Sequence, residues 1–128
     1  MEFLSNISLI LNPTTFGLIL GSTIVGVLIG ALPGLSSGMA IALLLPFTIY
    51  LEPSQAIAAM AALYCGGTFG GSITAILINA PGAPPAAATA FDGFPMAQKG
   101  QAGKALGMAA VSSVCLLYTS DAADDVEC

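Results

Sequence analysis

The sequence predicts an all-α membrane protein, with polytopic helices that are broken at Pro-Gly pairs or re-enter the bilayer. Three observations predict it. Of 128 residues, 56% are hydrophobic and only 7% charged, where a soluble domain carries about 25% charged residues; mean hydropathy is +0.93. Residues 3–51 hold no charged side chain and neither do residues 53–91, so Glu52 alone divides two apolar blocks. Each block is far longer than the ~20 apolar residues that span a bilayer. Fifteen glycines and eight prolines in so apolar a chain point to helices that pack closely or break.

The composition also excludes functions. The only cationic side chains are Lys99 and Lys104, and there is no Arg and no His. Nucleic-acid binding needs a basic stripe, which is lacking. No imidazole is present for metal ligation or general-base work, and no metal site or catalytic constellation is visible. A cleavable signal peptide needs a positive start and a short apolar core; Met1-Glu2-Phe3 is acidic and the apolar block runs on too long. A membrane protein that retains its N-terminus is expected.

Asn12-Pro13 reads as the N-cap and first residue of a helix. That helix runs from about Thr14 to Leu32, about 28 Å and enough to span, and stops at Pro33-Gly34. Gly17 and Gly21 are four apart, as are Gly26, Gly30 and Gly34. Such spacing puts small residues on one stripe and lets another helix approach. Leu35 to Gly38 is a small, polar interruption. Met39 to Leu51 is apolar but contains Pro46 and is short for a span, so it reads as re-entrant or broken.

Glu52-Pro53 starts a further helix, with the acid at the positive end of the dipole. It continues to about Ile78. Along it Ser54, Ala58, Ala62, Gly66, Gly70 and Thr74 recur every four residues, widened by Ala59, Gly67, Gly71 and Ala75. This face is expected to pack on a partner helix or line a polar path. Asn79 to Pro85 cannot continue a helix, and Asp92-Gly93 is a turn dipeptide. Phe91 to Gly103 reads as a polar loop holding both lysines, which places loop 81–103 in the cytoplasm by the positive-inside rule. Ala105 to Val114 begins another helix. Cys65, inside an apolar helix, reads as a small core residue.

Uncharged polar groups at apolar depth are the candidate substrate- or ion-binding residues: Ser36, Ser37, Thr68, Ser72, Thr74 and Asn79, beside the breaks Pro33-Gly34 and Pro81-Gly82. Each hydroxyl can equally serve as a helix-to-helix hydrogen bond. A broken helix, however, exposes N–H groups and a positive dipole end that can hold an anion without a buried Arg. Carbonyls at the other side of the break can hold Na⁺. The Pro33–Ser37 break and the Thr68–Gly82 region are expected to meet and line one path.

Several stretches in order resemble a known family: Gly30-Ala31-Leu32-Pro33-Gly34, Ala42 to Thr48, Tyr64 to Thr74, Asn79 to Gly82, Asp92 to Ala97, and Gly100 to Gly107. They resemble the opening of the large membrane subunit of tripartite tricarboxylate transporters. Phe94 stands where that family usually has Tyr. The resemblance implies an N-terminal fragment, residues 1–114, of a secondary-transporter permease in the bacterial inner membrane. It implies uptake of tricarboxylates or related organic anions, driven by a Na⁺ or H⁺ gradient, with no further cofactor and no enzymatic activity. The implied partners are a small membrane subunit and a periplasmic solute-binding protein, and the chain sits in the lipid bilayer. The alternative reading is a small standalone membrane protein that forms a homo-oligomeric pore or scaffold.

The end of the chain has a different composition. Glu2, Glu52, Asp92, Lys99 and Lys104 give residues 1–114 a net charge of −1, whereas Asp121, Asp124, Asp125 and Glu127 give residues 115–128 a charge of −4. Cys115 to Ser120 back-translates to TGT CTC TTA TAC ACA TCT, and Asp121 to Asp124 to GAC GCT GCC GAC. Together these codons resemble a transposon-end adapter used in DNA library preparation. Residues 115–128 are therefore expected to be a non-native, adapter-derived tail, and no disulfide is inferred from Cys115 or Cys128. On this reading the native gene encodes an apolar continuation after about Val114. Sequencing an amplicon of the locus prepared without transposon adapters checks it; recovery of Cys115 to Cys128 from that amplicon would refute it.

Overall fold

The computed structural model describes residues 1–82, 84 and 86–125. All of its regular elements are helical: α1 (Glu2–Ile10), α2 (Pro13–Gly30), α3 (Ser37–Leu44), a 3-10 helix (Leu45–Tyr50), α4 (Pro53–Ile78), α5 (Ala86–Gln98) and α6 (Ala102–Asp125). α4 is the hub. Its most extensive contact is with α2, and it also packs against α3, α5 and α6. α2 and α4 are the two helices long and apolar enough to cross a membrane, while Ser37–Tyr50 and Ala102–Leu116 are shorter apolar segments.

The boundaries follow local chemistry. Asn12 occupies the N-cap of α2 and Pro13 its first turn, although the Asn12 side chain makes no capping bond. α2 ends at Gly30, before Pro33, whose ring disfavours helical geometry at Leu32. Glu52 is the N-cap of α4, with Pro53 in the first turn. Asn79 ends α4 in the left-handed region at φ 54°, which Asn tolerates better than most residues.

The interior is built from small residues. Buried positions in α2 are Thr15, Ser22, Gly26 and Gly30. Facing them in α4 are Ala59, Leu63, Gly66, Gly67 and Gly70. Among the described residues, only Leu63 and Ile76 are large side chains that are almost completely covered. Meanwhile Phe16, Leu20, Ile24 and Leu28 of α2 point outward and stay exposed. A water-soluble helix shows the opposite arrangement. Large apolar groups outside and glycine inside suit a lipid surrounding, where helix association rests on close backbone packing.

The packing has a direction. Gln55 Nε2 donates to Thr15 Oγ1 at 3.4 Å near the start of both helices. A Cβ on Gly66 would lie 2.5 Å from the Thr23 carbonyl oxygen, one on Gly26 would strike the Leu63 carbonyl, and one on Gly70 would strike that of Val27. Residue numbers rise together along both helices, so α2 and α4 are parallel. The chain must therefore return between them. α3 and the 3-10 helix provide a return of about 24 Å. Ser37 starts it beside Gly67, about 21 Å along α4, so the lengths agree. The parallel register therefore sends α3 and the 3-10 helix back toward the end at which α2 and α4 both start, so Met39 to Leu51 is a short returning segment after the Pro33-Gly34 break.

Other expectations are corrected. Gly17 and Gly21 have nothing within 4 Å of an added Cβ, so that pair is not at a helix contact; Gly34 lies outside α2, at φ +93°. Ser54 is exposed and Ala58 and Ala62 only half-buried, whereas Ala56, Ala59 and Leu63 are buried. A strict four-residue spacing drifts by about 40° per step on a 3.6-residue helix, so the start and end of that series cannot share one face. α1 lies before the first element read from the sequence, and none of its residues is buried. Cys65 is exposed rather than core.

The largest correction concerns residues 81–103. Asp92-Gly93 is not a turn but sits inside α5, which even accommodates Pro95. Contact with α4 overrides local propensity here. A Cβ at Gly93 would lie 2.6 Å from Ile76 Cγ1, so this glycine permits approach rather than a bend. Ala86 and Ala90 close over Ala75 in the same contact. The true turn is three residues, Lys99 to Gln101. Gly100 adopts φ +78°, its N–H donates to the Ala97 carbonyl at 3.0 Å, and the Gln101 N–H donates to that of Met96 at 3.0 Å. This is the Schellman ending of a helix.

Gly30→Leu and Gly66→Leu should each lower the thermal stability of the purified protein in detergent by about 1–3 kcal/mol or more, the range for overpacking. Gly17→Leu and Gly21→Leu should leave melting within measurement error. The parallel register predicts that cysteines placed at Thr15 and Gln55, in a background lacking the native thiols, are joined by a short bifunctional thiol reagent. An antiparallel pair would keep them at opposite ends and unlinked.

Candidate functional site

Two zones emerge on different sides of α4. The first is a backbone junction. A Cβ on Gly67 would lie 3.0 Å from Ser37 Cβ, and one on Gly30 would lie 2.7 Å from Gly67 Cα. A Cβ on Gly82 would strike the Gly30 carbonyl oxygen and lie 3.1 Å from Gly71 Cα. The end of α2, the start of α3, the middle of α4 and the segment after α4 therefore converge. With α4 centred on a hydrocarbon core of about 30 Å, Gly67 falls within a few ångströms of the bilayer midplane.

Ser37 is buried here, at 7% exposure. Ser36 is the N-cap of α3 and its hydroxyl oxygen accepts the Met39 N–H at 3.4 Å. That bond uses a lone pair and leaves the Ser36 hydroxyl hydrogen free to donate. Pro33 and Gly34 lie in the same break but are exposed. Pro81 is exposed and Gly82 half-buried. Asn79 is exposed and its left-handed backbone terminates α4.

The second zone faces α5 and α6. Thr68 and Ser72 border a cavity of about 280 Å³ with Tyr64, Cys65, Phe69 and Ser113. Ser72 also borders a cavity of about 310 Å³, where Thr89, Asp92, Ser112 and Ser113 supply further polar groups. The hydroxyls of α4 donate back to their own helix: Thr68 Oγ1 to the Tyr64 carbonyl at 2.9 Å, Ser72 Oγ to that of Thr68 at 3.4 Å, and Thr74 Oγ1 to that of Gly71 at 3.1 Å. Thr74 is buried at 9% exposure, and this contact uses its only hydrogen.

The expected meeting of the two breaks is thus seen for Ser37 and Gly82 through Gly30, Gly67 and Gly71. Thr68 and Ser72 are not part of it; about 100° separates successive residues of a helix, which turns them toward α5 and α6. Asp92, Thr89, Ser112 and Ser113 are polar groups that the sequence reading left out. The turn reading of Asp92-Gly93 hid the first two, whereas a carboxylate isolated in apolar sequence was the available signal. Among the described residues no group of three or more His, Cys, Asp or Glu could hold a metal ion.

The comparisons agree with this architecture. Residues 16–120 match the Tripartite tricarboxylate transporter TctA family. An uncharacterized 52.8 kDa protein in the TAR-I ttuC' 3'region of Agrobacterium vitis is 42% identical over 117 residues, covering 88% of this chain and 23% of that relative. The chain thus spans about a quarter of the length of the curated relative it matches. No solved structure matches it. The family match extends across the glycine-packed pair, both Pro-Gly breaks and the α5–α6 turn, and the chain is a membrane protein that belongs to the tripartite tricarboxylate transporter TctA family.

Proposed function

We propose that this chain is the N-terminal quarter of an ion-gradient-driven permease for tricarboxylates or related organic anions. The permease works in the bacterial inner membrane with a small membrane subunit and a periplasmic solute-binding protein, and has no enzymatic role. A Na⁺ or H⁺ gradient drives it. The two lysines flanking the Lys99 to Gln101 turn put that turn in the cytoplasm. Residues 115–128 are taken as foreign to the native chain.

The observation that carries the site is the break between α2 and α3 beside Gly67, which centring α4 in the bilayer brings near the midplane. Non-helical backbone at that depth needs partners from protein, water or ligand, and Pro33 and Gly34 are exposed. The N-terminus of α3 offers N–H groups and a positive dipole end, and Ser36 offers a free hydroxyl hydrogen. An organic carboxylate is therefore placed at Ser36 and Ser37, with Pro33, Gly34, Pro81 and Gly82 shaping the backbone around it.

In the intact permease Ser36→Ala should reduce uptake of labelled citrate by roughly tenfold or more, the worth of a hydrogen bond to a charged group, while expression holds. Ser37→Ala should have a smaller effect in the same direction. Normal uptake and unchanged ion dependence in Ser36→Ala, Ser37→Ala, Thr68→Val and Ser72→Ala would leave packing as the sole role of these residues.

Alternating access needs one repeat to move against another. The 128-residue chain reconstituted alone should therefore show no saturable citrate uptake under a Na⁺ or proton gradient. Uptake above empty liposomes would favour a homo-oligomeric pore instead.

A further inference from the structure

The cavity between α4, α5 and α6 is distinct from the α2–α3 break and differs from it in chemistry. Its polar lining is Ser72, Thr89, Asp92, Ser112 and Ser113, set among Ile76, Met96, Met108 and alanines, and no Lys borders it. At about 310 Å³ it has room for an ion and several waters. Asp92 is the only acidic side chain between Glu52 and Asp121. It borders the cavity and is solvent-exposed. Gly93, pressed on Ile76, holds this part of α5 against α4.

Two of the four hydroxyls present lone pairs. Ser72 Oγ donates its hydrogen to the Thr68 carbonyl at 3.4 Å and Ser113 Oγ donates to the Ala109 carbonyl at 2.9 Å. Each hydroxyl has one hydrogen and two lone pairs. With the hydrogen spent on the helix, Ser72 and Ser113 offer acceptor oxygens, and the Thr89 and Ser112 hydroxyls can turn to do the same. Acceptor oxygens and one carboxylate repel an organic anion and suit a hard cation with oxygen ligands. A single negative charge is balanced by a single positive one, which favours a monovalent ion over Ca²⁺ or Mg²⁺.

The geometry points to a Na⁺ site formed by Asp92 with the hydroxyls of Ser72, Thr89, Ser112 and Ser113. The site deepens the permease reading, on which it rests, by placing the coupling ion on α4, α5 and α6 and the carboxylate at the α2–α3 break. Asp92 is the charged ligand. The hydroxyls complete the coordination from the two neighbouring helices, so occupancy ties α5 and α6 to α4.

The test uses the intact permease purified in detergent, with Na⁺ exchanged for choline at constant ionic strength. The wild-type protein should melt at a higher temperature in Na⁺, and Asp92→Asn should abolish that shift. In proteoliposomes Asp92→Asn should raise the Na⁺ concentration for half-maximal citrate uptake by tenfold or more, and Ser112→Ala by a few-fold. Should Asp92→Asn fail to fold, the double variant Ser72→Ala/Ser112→Ala decides, with a reduced Na⁺ shift expected. A Na⁺ shift retained in Asp92→Asn or in the double variant overturns the site. So does a wild-type protein that responds to pH but not to Na⁺, which would make the group a proton carrier. Loss of citrate uptake by the wild type, with the Na⁺ shift and its dependence on Asp92 intact, would instead reject the permease reading and leave the ion site standing.

Discussion

Backbone-to-backbone contact between α2 and α4 is the constraint on which the rest of the structure depends. Gly26, Gly30, Gly66, Gly67 and Gly70 turn bare Cα atoms toward the partner's carbonyls. Each Cα–H to carbonyl contact is worth about 0.5–1 kcal/mol, and lipid offers little hydrophobic drive to bring helices together. The contact therefore requires several glycines in register. Once made, it fixes the direction of both helices and forces the chain to return through α3 and the 3-10 helix. It also sets the depth of the α2–α3 break, because Gly30 and Ser37 are both held beside Gly67. The exposed large side chains of α2 follow from the same choice: with glycine inside, Phe16, Leu20, Ile24 and Leu28 can only face outward.

α4 then separates two chemistries. The face carrying Gly67 and Gly71 meets backbone, in the form of Ser37 and Gly82. The face carrying Thr68 and Ser72 meets the cavities beside α5 and α6. Hydroxyls within a helix tend to bond the carbonyl three or four residues back, and Thr68, Ser72 and Thr74 do so. They present lone pairs to their surroundings. Ser36, at a helix start, accepts instead of donating and keeps its hydrogen. The same residue type thus offers a hydrogen at the α2–α3 break and lone pairs at the cavity, according to its place in a helix.

Much of this was legible in the sequence. Two uncharged blocks divided by Glu52 establish a membrane protein, and Asn12-Pro13 and Glu52-Pro53 mark the starts of α2 and α4 because capping and proline chemistry are local. The end of α4 at Ile78 was legible for the same reason. So were the breaks at Pro33 and Pro81, each of them a Pro-Gly pair. The approach of the Pro33–Ser37 break to the Thr68–Gly82 region was anticipated and is made by Ser37 on Gly67 and by Gly82 on Gly30 and Gly71, whereas Thr68 and Ser72 face elsewhere.

Tertiary structure alone decided the remainder. Asp92, Gly93 and Pro95 carry the composition of a loop, yet they lie in a helix because α5 gains its stability from Ile76 and Ala75 across the contact with α4. Which glycines pack was equally beyond local reading: Gly17 and Gly21 share the spacing of Gly26 and Gly30 but face open space. Hydropathy, capping and backbone sterics act over a few residues and can be read along the chain. Helix direction, depth and partner depend on surfaces brought together from 40 residues apart, as Thr15 and Gln55 are, and only the folded chain holds that information.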